Sequence, residues 1–283
     1  MRLLHRVACA VVATGLVTSM AGAQESSKLD LPRPSPSATF KQTVGLTEFT
    51  IAYSSPAVHG RKIWGTVVPY GEVWRAGANE CTKLTLTTAA TIEGKPVPAG
   101  NYCLFLLPTP ASWTFILNKD TSLSGSSGYK QTDDVLRVAA TATTIPLRER
   151  LAYSVLDFTD AAGTLAMEWD TVRVGVKFEV PTRTTVMAEI RALKTDDWVP
   201  YNRAARYLLD AKLEPGYAME LVDKSIKLKE DWFNDWTKAQ LLAASGNTQQ
   251  ALALAQRAQE LGKQSKNFFL ADEVAAGIAD WKK

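Results

Sequence analysis

The sequence predicts an all-β antiparallel sandwich over residues 38–181, followed by an all-α segment of helical hairpins over 182–283. Three observations carry that expectation. Up to Pro181 the chain is a series of short apolar runs, rich in β-branched and aromatic residues and separated by turn residues, with no interleaved helical periodicity. Beyond Pro181 the apolar residues recur at helical spacing, several times behind an Asp, Asn or Thr that can cap a first turn. The helical part also matches itself at an offset of 33 residues. Composition agrees: 283 residues with 46% apolar and 22% charged side chains exclude disorder, collagen and a pure coiled coil.

Residues 1–23 read as a cleaved export signal: Arg2, His5 and Arg6, then the apolar run Val7 to Val17, then Ala21-Gly22-Ala23 before a cut after Ala23. That run is shorter than the roughly 20 residues that span a bilayer, and no later stretch approaches that length. The expectation is a soluble periplasmic or secreted protein without a membrane span. A polar lead-in over 24–37 follows, with Pro32, Pro34 and Pro36 alternating. Strands are expected at 49–53, 84–87, 102–107, 113–117, 151–155, 165–169 and 172–178, within a sandwich of about eight to ten strands. Val44-Gly45, Glu93-Gly94, Pro98-Ala-Gly100 and Ala162-Gly163 supply turns.

Helices are expected at 184–194, 197–212, 215–229, 231–245, 247–263 and 267–281. The offset of 33 pairs Leu208 with Leu241, Leu209 with Leu242, Ala211 with Ala244, Ala218 with Ala251, Leu221 with Leu254 and Leu228 with Leu261. With Gly246 at a turn and Ala251, Ala255 and Ala258 on the following helix, this is similar to the tetratricopeptide repeat. Two repeats and a terminal helix are few for a solenoid. The helices are therefore expected to dock on the β domain or on a second copy, with another protein or the chain itself as partner.

Charge offers no partner of its own. There are 32 Lys and Arg against 29 Asp and Glu, and removing Arg2 and Arg6 with the leader leaves 30 against 29, so no nucleic acid is implied. The mature chain would hold one histidine, His59, and no Cys-x-x-Cys, which excludes a His-rich zinc site and leaves no metal or cofactor to predict. Cys81 and Cys103 are either a disulfide, closing a loop of about 23 residues and contributing ~3 kcal/mol, or two buried thiols on neighbouring strands. The Ser124–Gly128 stretch lacks the Gly-Lys-Ser/Thr ending of a phosphate loop and reads as a plain loop.

The candidate site residues lie in two clusters. Arg61, Trp64, Trp74, Arg75, Asn79 and Glu80 crowd one short stretch, where arginine beside tryptophan suits a small anionic or sugar ligand. The competing expectation is structural: Arg75 pairs with Glu80 or Asp134 while the tryptophans fill the core. Tyr129, Asp133, Asp134 and Arg137 form the second cluster, with the same two readings. Two functions of different class follow. One is a non-catalytic binding and protein-interaction module of the cell envelope. The other is a hydrolase-like or carbohydrate-active enzyme with Glu80 and Asp134 as paired carboxylates.

Five stretches carry a family resemblance: Tyr53-Ser-Ser-Pro-Ala-Val-His-Gly-Arg-Lys-Ile-Trp-Gly65, Pro69-Tyr-Gly-Glu-Val-Trp-Arg-Ala-Gly-Ala-Asn-Glu-Cys-Thr82, Pro98-Ala-Gly-Asn-Tyr102, Trp113-Thr-Phe-Ile-Leu-Asn118 and Asp134-Val-Leu-Arg137. Over roughly residues 33–180 they resemble the bacterial exported family known as domain of unknown function 2911. The resemblance implies an exported β-rich domain and no established activity. The chain departs from the family pattern at Cys81 and Cys103, where members carry small or hydroxyl side chains, and the double departure favours the disulfide.

Overall fold

The computed structural model describes residues 31–283; the leader read at 1–23 and the first part of the lead-in lie outside the described residues. Nine strands come first: β1 (Ser37–Val44), β2 (Thr47–Ser54), β3 (Thr82–Leu86), β4 (Ala90–Ile92), β5 (Lys95–Val97), β6 (Gly100–Pro108), β7 (Trp113–Asn118), β8 (Asp134–Leu156) and β9 (Ala162–Glu179). All pair antiparallel, in the order β1-β2-β3-β6-β7-β8-β9-β4-β5.

The sheet folds over on itself because β8 is long enough to serve two partners. Its residues 134–140 pair with β7, and 141–156 pair with β9. Strands distant in the ladder therefore meet face to face. Phe49 of β2 touches Phe178 of β9, their ring centroids 4.4 Å apart, and Tyr53 of β2 meets Tyr153 of β8 at 4.9 Å. One apolar core lies between the two halves, from Val44 and Phe49 through Leu104 and Leu117 to Trp169 and Val180. The segment after β2 closes part of the open side: the Val58 N–H donates to the Glu149 carbonyl, and the Leu151 N–H donates to that of Pro56.

The expected strands all fall on observed ones, those at 165–169 and 172–178 as the single strand β9, and the structure adds others. β1 is an edge strand whose side chains are nearly all exposed or half-buried, so its sequence carries little apolar signal. β4 and β5 are three residues each and flank a two-residue turn in which Glu93 and Gly94 both have positive φ, the geometry of a type I′ hairpin. β8 runs on through Pro146. Because proline cannot donate to the ladder, three residues of β8 oppose one of β9 at that point, and the same happens again beyond Arg148.

Six helices follow: α1 (Thr182–Ala192), α2 (Trp198–Asp210), α3 (Pro215–Leu228), α4 (Trp232–Ala244), α5 (Thr248–Gln264) and α6 (Ala271–Trp281). Asp197 and Asp231 cap α2 and α4, each accepting a hydrogen bond from a backbone N–H of the first turn. The repeat offset has a structural counterpart, since Leu208 and Leu241, and Ala218 and Ala251, are buried in equivalent hairpins. The expected docking of helices on the sheet is not what the described residues do. The helices bury apolar side chains among themselves, in one cluster from Met187 to Leu241 and another from Trp236 to Ile278, and no buried cluster joins strand to helix. Among the described residues no helix is long and apolar enough to cross a membrane.

Candidate functional site

The segment from Val58 to Cys81 is held by backbone bonds rather than by a regular ladder. Arg61 helps to pin it: its Nε donates to the Val58 carbonyl at 3.0 Å and its Nη2 to that of Ala57 at 2.6 Å. Trp74 exchanges two backbone hydrogen bonds with Leu106 of β6, and its Nε1 donates to the Gly77 carbonyl at 3.2 Å. This delivers its ring to the core. Trp64, Trp74, Trp113 and Trp169 meet there with centroids 4.9 to 5.8 Å apart, most of them edge to face, and none is more than 9% exposed. The tryptophans of the candidate site are thus core residues, as the structural reading expects.

Beyond Trp74 the backbone is strained. Ala76 and Asn79 both have positive φ, at 53° and 59°, which costs a residue with a Cβ about 1–2 kcal/mol. Hydrogen bonds hold the shape: the Ala76 carbonyl accepts from Thr82 Oγ1 at 3.0 Å and from the Tyr153 hydroxyl at 2.7 Å. Asn79 Nδ2 donates to Ser54 Oγ at 3.1 Å and to the Ser35 carbonyl. Burial, with a smaller contribution from Tyr53, pushes the Tyr153 hydroxyl well above the usual tyrosine range, against the pull of the Thr82 hydroxyl. Glu80 points outward, 66% exposed and 4.0 Å from Arg33, and lines a cleft of about 250 Å³ with Thr39, Tyr53, Ser54, Cys81 and Lys83.

Cys81 and Cys103 form a disulfide, their Cα atoms 5.7 Å apart. It lies in an apolar cluster with Phe105 and Ile116, against which Val73, Leu123 and Tyr129 pack. The second candidate cluster starts from that packing. The Tyr129 hydroxyl donates to Asp134 Oδ2 at 2.6 Å, Arg137 Nη1 donates to the same hydroxyl at 3.0 Å, and Asn118 Nδ2 donates to Asp134 Oδ1 at 3.0 Å. The Asp134 side chain is only 6% exposed. Burial first, then the hydrogen bond and charge of Asp134, push the Tyr129 hydroxyl up to about 12. Tyr129, Asp134 and Arg137 come together as expected, joined by Asn118, which sequence reasoning missed. Glu80 and Asp134 share no hydrogen-bonded or ionic partner among the described residues.

Arg75 departs from the structural reading. It pairs with neither Glu80 nor Asp134, because Glu80 turns toward Arg33 and Asp134 is enclosed by Tyr129, Asn118 and Arg137. Half-buried, its side chain makes no hydrogen bond or ion pair among the described residues, and its Nε is buried without an acceptor. Its side chain lies against Gly125: a Cβ built there would sit 3.3 Å from Arg75 Cδ, 3.4 Å from Nη1 and 3.3 Å from the Asn79 carbonyl oxygen.

A third polar group was not foreseen. Glu168, 12% exposed at its side chain, accepts from Arg173 Nε at 2.6 Å and from Arg148 Nη1 at 3.1 Å, in a cleft of about 270 Å³ edged by Pro146 and Leu147. The proline inside a strand-like run was the available signal. Among the described residues no group of three or more His, Cys, Asp or Glu could hold a metal ion.

No curated protein and no solved structure is detectably similar to the chain. The family described as Protein of unknown function (DUF2911) matches residues 35–178, which takes in every strand of the sheet but the last residue of β9, the disulfide, Arg75 and both candidate clusters. The chain belongs to that family.

Proposed function

We propose that this chain is a non-catalytic binding protein of the cell envelope, whose sandwich holds a small anionic ligand at Arg75. The observation that carries the reading is a half-buried guanidinium left without a partner in a region where Arg61, Asn79, Asp134 and Arg137 are all hydrogen-bonded. Burying part of a charge without compensation is costly, and an anion seated against it supplies the compensation. The disulfide supports an exported location, since such bonds persist in oxidising compartments. The helical tail, which we read as tetratricopeptide-like, would contact another protein or a second copy of the chain; sedimentation equilibrium separates the two.

Arg75→Gln keeps most of the side-chain stem that packs on Gly125 and removes the charge. The expected result is loss of anion binding, measured by titration calorimetry with phosphate, sulfate, acetate and citrate, at a melting temperature within a few degrees of the parent. Unchanged binding, or a large fall in melting temperature that urea titration traces to the sandwich, would return Arg75 to a structural role.

A further inference from the structure

We infer that the Arg75 site takes a tetrahedral oxyanion, a phosphate or sulfate group, and that the Ser124–Gly128 loop is its second wall. The inference rests on the anion reading of Arg75 and adds the loop and the class of ligand. Sequence alone made this stretch a plain loop; its place in the fold says more.

Gly125 is buried with φ +71°, and its Cα faces the stem and Nη1 of Arg75 so closely that a side chain there would press on both the arginine and the Asn79 carbonyl. Only glycine tolerates both the conformation and the contact. The loop beside the guanidinium is rich in donors, with Ser124, Ser127 and Gly128 exposed to solvent. Among the described residues, the backbone N–H groups of Ser124 through Gly128 and the hydroxyls of Ser124, Ser126 and Ser127 have no acceptor. The one bond the loop makes at its end uses an acceptor, the Ser126 carbonyl, which receives the Tyr129 N–H at 3.3 Å.

No carboxylate pairs with Arg75 among the described residues. Asp120 accepts from the Ser122 N–H and hydroxyl, Asp133 pairs with Lys119, Asp134 is enclosed, and Glu80 turns toward Arg33. A planar fork of charge packed on Gly125, in a loop that carries further neutral N–H and O–H donors, suits a group with three equivalent oxygens: the fork takes two, and the loop takes the third. A carboxylate, with two oxygens, would leave the loop donors idle.

The test is titration of the full mature chain, at constant ionic strength, with inorganic phosphate, sulfate and acetate, followed by calorimetry and by backbone amide shifts. Saturable binding of phosphate or sulfate with shifts at Gly125 and Ser126, and no acetate binding in the same range, is the expected result; the stronger of the two names the source. Arg75→Gln and Gly125→Ala should each weaken binding by at least about tenfold. If Arg75→Gln leaves phosphate and sulfate affinity unchanged, both the inference and the reading beneath it fall. If Arg75→Gln abolishes binding while Gly125→Ala does not, or the loop amides of the parent stay still, the loop is no wall, and the Arg75 reading survives alone. Acetate binding as tightly as phosphate overturns the ligand class in the same selective way. The amide shifts of the parent decide the matter even where Gly125→Ala fails to fold.

Discussion

Asp235→Asn should stabilise the helical segment at neutral pH and leave it unchanged in acid. Asp235 lies on α4 with its side chain 1% exposed, and neither carboxylate oxygen accepts a hydrogen bond among the described residues. Its nearest cation is Arg257 on α5, with Nε 3.6 Å away, and the other end of that guanidinium is held by Glu230. Burial, and then the charge of Glu230, push the carboxyl from 3.8 up to about 6, against the pull of Arg257 and Lys238. The folded chain therefore keeps a proton that the unfolded chain has already lost. The contribution of this group to stability is full below about pH 4 and is lost as pH rises to about 6. At about 1.4 kcal/mol for each pH unit, the gap between 3.8 and about 6 amounts to about 3 kcal/mol. Asparagine cannot ionise. Urea unfolding followed by circular dichroism at 222 nm should thus place the variant up to about 3 kcal/mol above the parent at pH 8, and within about 0.5 kcal/mol of it at pH 4. The difference between variant and parent isolates this group from every other titration. A variant less stable than the parent at pH 8 would refute the reasoning, because it would mean that Arg257 compensates the buried charge in full.

Other expectations follow from the same structure. Replacing Cys81 and Cys103 together by Ala should lower stability by about 3 kcal/mol, the loop-closure value for a sequence separation of 22, read by denaturant titration without reductant. Trp169→Ala should cost about 3–5 kcal/mol, whereas Trp169→Phe should cost clearly less, since the indole Nε1 is buried without an acceptor and phenylalanine removes that unpaired donor along with some volume. Asp231→Ala takes away the cap and capping box of α4 and should lower the thermal transition of the helices by the equivalent of about 1 kcal/mol.

How much of this was legible in sequence depends on how local the cause is. Helices α2 to α5 were readable to within about two residues, because Asp197 and Asp231 cap where they stand and Pro215 opens α3, whereas α6 begins four residues later than expected and α1 is shifted by two. The buried strands were readable from their apolar runs, as in Phe115, Ile116 and Leu117 of β7. What escaped is non-local. β1 is an edge strand with little apolar face, and β4 and β5 are too short to show a period. The reach of β8 through Pro146 depends on its two partners. In the candidate site, Tyr129, Asp134 and Arg137 meet because only four residues, three of them in a 3-10 turn at Gln131–Asp133, separate Tyr129 from the start of β8, a proximity that sequence carries. Arg75 was expected beside Glu80 or Asp134 on proximity in sequence and on charge alone. Its actual neighbour, Gly125, is fifty residues away and was joined to it by the fold. The cluster of Glu168, Arg148 and Arg173 escaped for the same reason, because a bulge in β8 re-aims Arg148.

The central claim is that the unpaired guanidinium of Arg75 exists to hold an anion. Native mass spectrometry of the protein purified from its own cells, beside Arg75→Gln prepared identically, tests it most directly. The account predicts a small anionic adduct on the parent that is missing from the variant. A parent that carries no adduct, or a variant that keeps the same one, would contradict it.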